Sequence, residues 1–246
     1  MKYFVITDLH ANLEALEAVL EAVPPDAYDR VLVLGDLVGY GADPNGVIDR
    51  VRGLNPLVLI RGNHDKVACG IEDPSGFNLV ARQAIEWTHT ALTPENLQFL
   101  VDLPSGPQFV DSEVEVCHGS PFDEDAYIFD QAEAARALEA MERRICLYGH
   151  THIPAVFTPD ITADDAPVSR DGTVALRLGT EGRYLINPGS VGQPRDGDPR
   201  AACAVFDADA RELVIHRVPY RVDVAQRKII AAGLPEILAS RLGIGR

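Results

Sequence analysis

The chain has 246 residues, 46% of them apolar and 24% charged, the composition of an ordinary globular protein. Its 22 Lys and Arg against 37 Asp and Glu leave a net charge of −15, which argues against a binder of nucleic-acid backbone but leaves small anionic substrates open. No apolar run approaches the roughly 18 residues that cross a bilayer, and Met1 leads straight into "KYFVI" without a signal-peptide h-region, so the expected compartment is the cytoplasm.

In chain order, "KYFVITD" predicts a strand and "NLEALEAVLEAV" a helix with Leu13, Leu16, Leu20 and Val23 on one face. "RVLVLGD" is a second strand and "PNGVIDRVRG" a short helix opened by Pro44. "PLVLIRGN" is a third strand, whose four successive apolar residues, Leu57 to Ile60, read as buried. Strands separated by helices imply βαβ units and a largely parallel sheet. From Phe77 to Val101 the pattern is helical, capped by Asn78, with Leu79, Ala81, Ile85 and Leu92 as its apolar members; Thr93-Pro94 starts another helix. The last third changes to short strand-like runs, "EVEVCHG", "RICLYGH", "PAVFT", "VALRL", "RYLIN", "AACAVFD" and "ELVIHRV", around the single helix "DQAEAARALEAMERR". That pattern suits a second, mixed sheet. The stretch at 161–172, "ITADDAPVSRDG", is the most loop-like, and Val222 to Leu242 returns to helical spacing. Without a repeat, low-complexity tract or linker, one domain over residues 1–246 is the simpler expectation.

The cysteines Cys69, Cys117, Cys146 and Cys203 form no C-x-x-C pattern, so neither a zinc ribbon nor a redox motif is indicated. Histidines carry the signal instead. Strand one ends in Asp8-Leu9-His10, strand two in Gly35-Asp36, and strand three in Gly62-Asn63-His64-Asp65. "EVEVCHGS" ends in His118-Gly119, and "ICLYGHTH" in Gly149-His150-Thr151-His152. Five of the seven histidines therefore lie at carboxyl ends of apolar runs, where ligands of open α/β sheets bind. His89, inside a helix, and His216, in a late strand, need no function. Asp, His and Asn donors without a thiolate suit Mn, Fe, Zn, Ni or Co. Asp8, His10, Asp36, Asn63, His118, His150 and His152 are too many for one tetrahedral ion and suit two ions sharing a carboxylate. Such a pair acts as a clamp on the attacking and leaving oxygens of a displacement at phosphorus.

"DLH", "GDLVGYG", "GNHD", "HGS" and "GHTH", between Asp8 and His152, resemble the motifs of the calcineurin-like metallophosphoesterase superfamily in order and approximate spacing. The resemblance implies an α/β fold, a four-layer α/β/β/α sandwich of two mixed sheets. It implies that Asp8, His10 and His152 hold one metal, that Asp36 bridges, and that Asn63, His118 and His150 hold the second. His64 would face the scissile phosphoester and protonate the leaving oxygen or stabilise charge on it, with a water or hydroxide held by the metals as nucleophile. Asp65 either orients His64 or caps the following helix. Ala11 replaces a Gly of the family's first motif and is neutral if its φ is negative. Gly62 is expected to let the backbone turn Asn63 inward.

The second motif lacks the Asp and Arg of the G-D-x-x-D-R-G found in phosphoprotein phosphatases. This moves the resemblance toward small bacterial and archaeal phosphodiesterase-like members, whose C-terminal motif "INPGSVGQPRDGDPRA" also resembles. There Asn187, Gly189 and Ser190 are expected to build a turn near the site, and Arg195 either touches a substrate phosphate or is solvated. The resulting expectation is a manganese-type, cytoplasmic phosphodiesterase for a small phosphoester, with cyclic nucleotides and dinucleoside polyphosphates as candidates. Alternatives are a phosphomonoesterase or phosphoprotein phosphatase, a non-catalytic scaffold of the kind the retromer subunit provides, and a DNA nuclease, which the acidic balance opposes. Relatives are often oligomers. The acidic segment "FDEDAYIFD", Phe122 to Asp130, is either a substrate-selecting lid or a solvated loop with a helix start.

Overall fold

The computed structural model describes residues 1–159 and 173–246; the loop expected at 161–172 lies outside them. The elements run β1 (Lys2–Ile6), α1 (Leu13–Ala22), β2 (Arg30–Val33), α2 (Pro44–Gly53), β3 (Val58–Leu59), α3 (Asn63–Ala68), α4 (Leu79–Ala91) and α5 (Pro94–Val101). Then come β4 (Gln108–Phe109), β5 (Val114–Val116), α6 (Gln131–Ala140), β6 (Ile145–Leu147), β7 (Ala155–Phe157), β8 (Val174–Arg177) and β9 (Tyr184–Asn187). β10 (Ala201–Asp207), β11 (Glu212–Val218), α7 (Val222–Ala231) and α8 (Glu236–Leu242) complete the described residues.

Two mixed sheets form, in the orders β3-β2-β1-β10-β11-β8 and β4-β5-β6-β9-β7. Strand alternation explains how they stack. Tyr3 and Val5 of β1, Leu32 of β2, and Ala204 and Phe206 of β10 turn inward. They meet Val114, Val116, Ile145, Leu147 and Ile186 of the second sheet in one cluster. Their neighbours Phe4, Ile6, Val31, Val33 and Cys203 turn outward onto Ala15, Leu16 and Val19 of α1 and Val47, Ile48 and Val51 of α2. On the far side, Cys146 and Leu185 pack on Ala134, Ala137 and Leu138 of α6. The result is the expected α/β/β/α sandwich, in which each buried aliphatic or aromatic side chain contributes about 1.5–3 kcal/mol.

Several local expectations change. The first sheet is parallel only over β3, β2 and β1, because β10 joins β1 antiparallel and β11 and β8 follow it. The strands of the last third are thus shared between the sheets: β10 pairs with β11 over all seven of its residues and with β1 over four of them, Ala204 to Asp207. The third strand is a two-residue edge strand whose Val58 and Leu59 are half-buried and whose Leu57 is exposed, leaving Ile60 as the fully buried member. In α1, Ala15, Leu16 and Val19 form the buried face, with Leu13 and Leu20 packing at its margin. Asn78 does cap α4, accepting from the Ala81 amide at 3.0 Å, but Leu79 points to solvent and Ala84 and Thr88 take the inner face.

In each sheet the three parallel strands, β1, β2 and β3 in one and β5, β6 and β9 in the other, run in a common direction. Among the described residues no helix is long and apolar enough to cross a membrane.

Candidate metal centre

The segments leaving β1 and β2 run side by side, stitched by amide bonds from Asp8 to the Gly35 carbonyl at 3.1 Å and from His10 to the Asp36 carbonyl at 3.0 Å. A second stitch joins the sheets: the His150 amide donates to both carboxylate oxygens of Asp8 at 3.1 Å. Gly149 permits that approach, since a Cβ there would lie 2.2 Å from Thr7 Oγ1. Asp8, His10, Asp36 and His152 consequently form one buried cluster of potential metal donors, and Asp36, His118 and His150 a second. Asn63 Oδ1 lies 3.2 Å from His118 Nε2. All seven residues singled out in the sequence therefore converge, and Asp36 is common to both clusters.

Five of the seven, Asp8, His10, Asp36, His150 and His152, have φ between 45° and 68°. Left-handed backbone is unfavourable for residues with a Cβ and is retained where the surroundings over-determine it, most often at functional sites.

Hydrogen bonding fixes which ring atoms face inward. Nδ1 of His10 donates to the Val38 carbonyl at 3.1 Å, Nδ1 of His118 to Leu34 at 2.8 Å, and Nδ1 of His152 to Gln193 at 2.7 Å. His150 uses the other nitrogen, donating from Nε2 to the Asp125 carbonyl at 3.0 Å. A neutral imidazole has one N–H, so the remaining nitrogen of His10, His150 and His152 presents a lone pair. Burial lowers the pKa of His10 and His152 well below the usual histidine range, so neither carries a second proton. Yet their Nε2 atoms lie 3.0 Å apart. Two lone pairs at that distance repel unless a cation lies between them. Asp36 Oδ2 is similarly placed: it is buried without a hydrogen-bond partner among the described residues, 3.5 Å from Nε2 of both His10 and His118.

The electrostatics carry the same message. Burial pushes the Asp8 carboxyl up to about 7. Burial would lower His118, but Asp36 beside it overrides that and raises it to about 10. The pocket between the two carboxylates thus favours positive charge. The nitrogen and oxygen donor set, with its orphaned carboxylate oxygen and opposed imidazoles, fits divalent transition ions.

His64 lies beside these clusters, outside them. Its amide donates to Asp36 Oδ1 at 2.8 Å, and its ring packs against Tyr40 at 4.4 Å, Phe77 at 4.7 Å and His10 at 4.9 Å between centroids. Burial lowers its pKa to about 4, and its Nδ1 is buried without a partner among the described residues. Asp65 does not touch that ring: it accepts from the Gly62 amide at 2.9 Å and the Val38 amide at 3.2 Å, so of its two readings the cap of α3 holds. Gly62 has extended backbone, φ −107° and ψ −179°, which any residue adopts. It is required for closeness instead, because a Cβ there would lie 2.2 Å from Asp36 Oδ1. Ala11 has φ 51°, so its replacement of Gly is not neutral.

The C-terminal loop braces the first strand's end, with Ser190 Oγ donating to the Asp8 carbonyl at 2.8 Å, the Asn187 amide group to Gly149 at 2.7 Å, and the Gly189 amide accepted by Asn187 Oδ1 at 2.8 Å. Arg195 is half-buried against the Tyr40 ring and bonded to Gln193 Oε1 at 3.1 Å, and its Nε is buried without a partner among the described residues. It lies near enough to help lower His10, His64 and His152, so the solvated reading gives way. Sequence reasoning missed Tyr40, set between two glycines in "GDLVGYG", and the contacts of "FDEDAYIFD". In that segment Tyr127 stacks on His150 at 3.9 Å and Asp125 carries the carbonyl that holds it. Lys66, also missed, is a buried ammonium paired with Glu72 at 2.7 Å and Asp125 at 2.5 Å. Nδ1 of His89 donates to the Ala68 carbonyl at 2.8 Å.

The chain and its fold match known proteins. Residues 1–211 match the family model described as the calcineurin-like phosphoesterase superfamily domain. The chain belongs to that superfamily of phosphoric ester hydrolases. It is 36% identical to an uncharacterised protein of Methanocaldococcus jannaschii, over 98% of this chain and 97% of the other. It is also similar to the crystal structure of a metallophosphoesterase from Sphaerobacter thermophilus, with TM-score 0.88 and 40% identity over 100% and 99% of the two chains. A hypothetical protein from Pyrococcus horikoshii OT3 shares the fold at TM-score 0.79 and 21% identity, over 100% of this chain and 98% of that one.

Proposed function

We propose that the chain is a binuclear metal-dependent phosphodiesterase for a small phosphoester, within the phosphoric ester hydrolase class its family defines. The observation that carries this reading is Asp36 Oδ2, buried, without a hydrogen-bond partner among the described residues, and equidistant at 3.5 Å from Nε2 of His10 and of His118. Asp8, His10 and His152 would hold one divalent ion and Asn63, His118 and His150 the other, with Asp36 as the donor common to both clusters. When bound, such ions supply Lewis-acid activation of water and neutralise charge on the phosphoryl oxygens. Manganese is the first ion to test, in a family whose sites take N and O donors. Both sheets supply donors, so residues 1–246 act as one unit.

The chain's own residues do the rest. His64, neutral because burial holds it near 4, offers a ring N–H to the leaving oxygen as charge develops there. A nearby cation only lowers its pKa further, so a fixed hydrogen-bond donor fits better than a standing imidazolium. Arg195 directs its unsatisfied Nε–H and its charge at a phosphoryl oxygen, as guanidinium does well. Diester over monoester rests on the second motif, where Gly39-Tyr40-Gly41 supplies a ring against His64 in place of a further Asp and Arg. Retention of all seven donors and His64 disfavours the scaffold alternative.

The test compares hydrolysis of an aryl phosphodiester and the matching monoester by manganese-loaded protein, with His64→Ala alongside. The reading expects faster diester turnover, and a loss of about 100-fold or more in kcat for the variant. Monoester preference would contradict the diester assignment, and turnover indifferent to His64→Ala would remove that residue from the mechanism.

A further inference from the structure

Beside the metal cluster, three rings form a continuous stack. Tyr127 lies on His150 with centroids 3.9 Å apart and planes at 23°, and Phe129 lies on Tyr127 at 5.1 Å and 9°. One face of Tyr127 is thus taken by His150. Phe129, the outer member of the stack, is 57% exposed, and Tyr127, between the two other rings, still keeps 44% of its surface exposed. Exposed rings elsewhere are covered: Arg143 sits over Phe109 at 4.0 Å and Arg136 over Phe122 at 3.9 Å from the centroid. Phe129 has no such guanidinium among the described residues.

The stack is also held rigidly. Asp125 bonds Lys66 Nζ at 2.5 Å and gives its carbonyl to His150, and Glu124 reaches Arg61 at 3.0 Å. At the other end Asp130 accepts from the amides of Ala132 and Glu133, opening α6, and the Phe129 amide donates to Glu133 at 2.6 Å. Glu124, Asp125 and Asp130 thus hold the segment in place, and its two exposed rings present a planar, apolar surface leading away from His150.

We propose that Tyr127 and Phe129 form a binding ledge for a planar heteroaromatic ring carried by the phosphoester, the ring that a nucleobase supplies. The proposal rests on the phosphodiesterase reading for the phosphate's position and adds the substrate class: nucleotide phosphoesters over those of plain sugars or alkyl alcohols. A stacked ring gains from the open π-face whatever its edge pattern, so the ledge selects nucleobase over no base and discriminates little among bases. The acidic surroundings oppose a long polyanion, which limits the substrate to a short nucleotide.

Equilibrium binding tests the ledge without turnover. Adenosine 5′-monophosphate and ribose 5-phosphate are titrated into manganese-loaded wild-type protein, Phe129→Ala, Phe129→Leu and Phe129→Trp, with unfolding midpoints confirming that each variant is folded. The nucleotide is expected to bind about tenfold more tightly than the sugar phosphate. Phe129→Ala and Phe129→Leu should lose most of that preference while ribose 5-phosphate binding stays unchanged, and Phe129→Trp should keep it. Equal affinities in the wild type, undetectable binding of the nucleotide, or a preference that survives Phe129→Ala would overturn the ledge. A nucleotide preference in a protein that hydrolyses no diester would keep the ledge and instead remove the phosphodiesterase reading.

Discussion

Ala11 holds a left-handed backbone, φ 51°, between His10 and the capping residue Asn12 of α1. A Cβ in that region costs about 1–2 kcal/mol, partly offset by the greater freedom glycine has when unfolded. Ala11→Gly is therefore expected to raise stability by up to about 1 kcal/mol, measured by denaturant unfolding; destabilisation would mean that the Ala11 methyl packs better than its backbone suffers. Arg195 makes a different prediction. Its Nε lacks a partner in the described structure, so Arg195→Ala should cost the charge-assisted bond to phosphate, about 1.5–3 kcal/mol. That loss should appear mainly as a KM raised about tenfold or more, with kcat changed less; an unchanged KM would return Arg195 to a packing role. Asp8, His10, Asp36, Asn63, His118, His150 and His152 were legible in the sequence because metal chemistry admits few donor types and strand ends collect them. Ala11's φ and Gly62's closeness to Asp36 were not, since each depends on where a second segment passes.

The elements that deliver these residues are braced by contacts between distant segments. Lys66, at the end of the first turn of α3, is 5% exposed and pairs with Glu72, Glu124 and Asp125 at 2.7, 3.4 and 2.5 Å. It joins the element that carries Asn63 and His64 to the segment whose Asp125 carbonyl orients His150. Lys66→Met should destabilise by about 1–2 kcal/mol, below a fully buried pair because its partners are partly wet. It should also weaken binding of one metal ion about tenfold, as loss of an orienting contact does. Calorimetric titration would check this, and unaltered affinity would detach Lys66 from the site. Element types were legible from periodicity, as in the α2 and α4 boundaries at Pro44 and Asn78. Sheet membership was not: "AACAVFD" and "RYLIN" read alike, yet Ala201–Asp207 pairs with Lys2–Ile6 and Tyr184–Asn187 with Ile145–Leu147. Pairing is a property of two strands, and neither segment names its partner.

Across the whole molecule, the two sheets meet through Asp8, which the His150 amide grips by both carboxylate oxygens. Burying Asp8 and Asp36 together is unfavourable without a cation, so metal binding and folding are linked. Chelation should lower the thermal midpoint by about 5–10 °C, restored by manganese, since a site at 100 times its Kd adds about 2.7 kcal/mol. An unchanged midpoint would mean that the folded chain does not depend on the ions. The four layers were expected from the motifs' resemblance to a family; composition and periodicity alone reached only alternating strands and helices. The central claim is that seven side chains hold two ions through a shared Asp36. Elemental analysis of metal-saturated wild type and Asp36→Asn, per folded chain, tests it most directly. The account predicts two ions for the wild type and at most one for the variant. One ion or none in the saturated wild type, or two retained by Asp36→Asn, would contradict it.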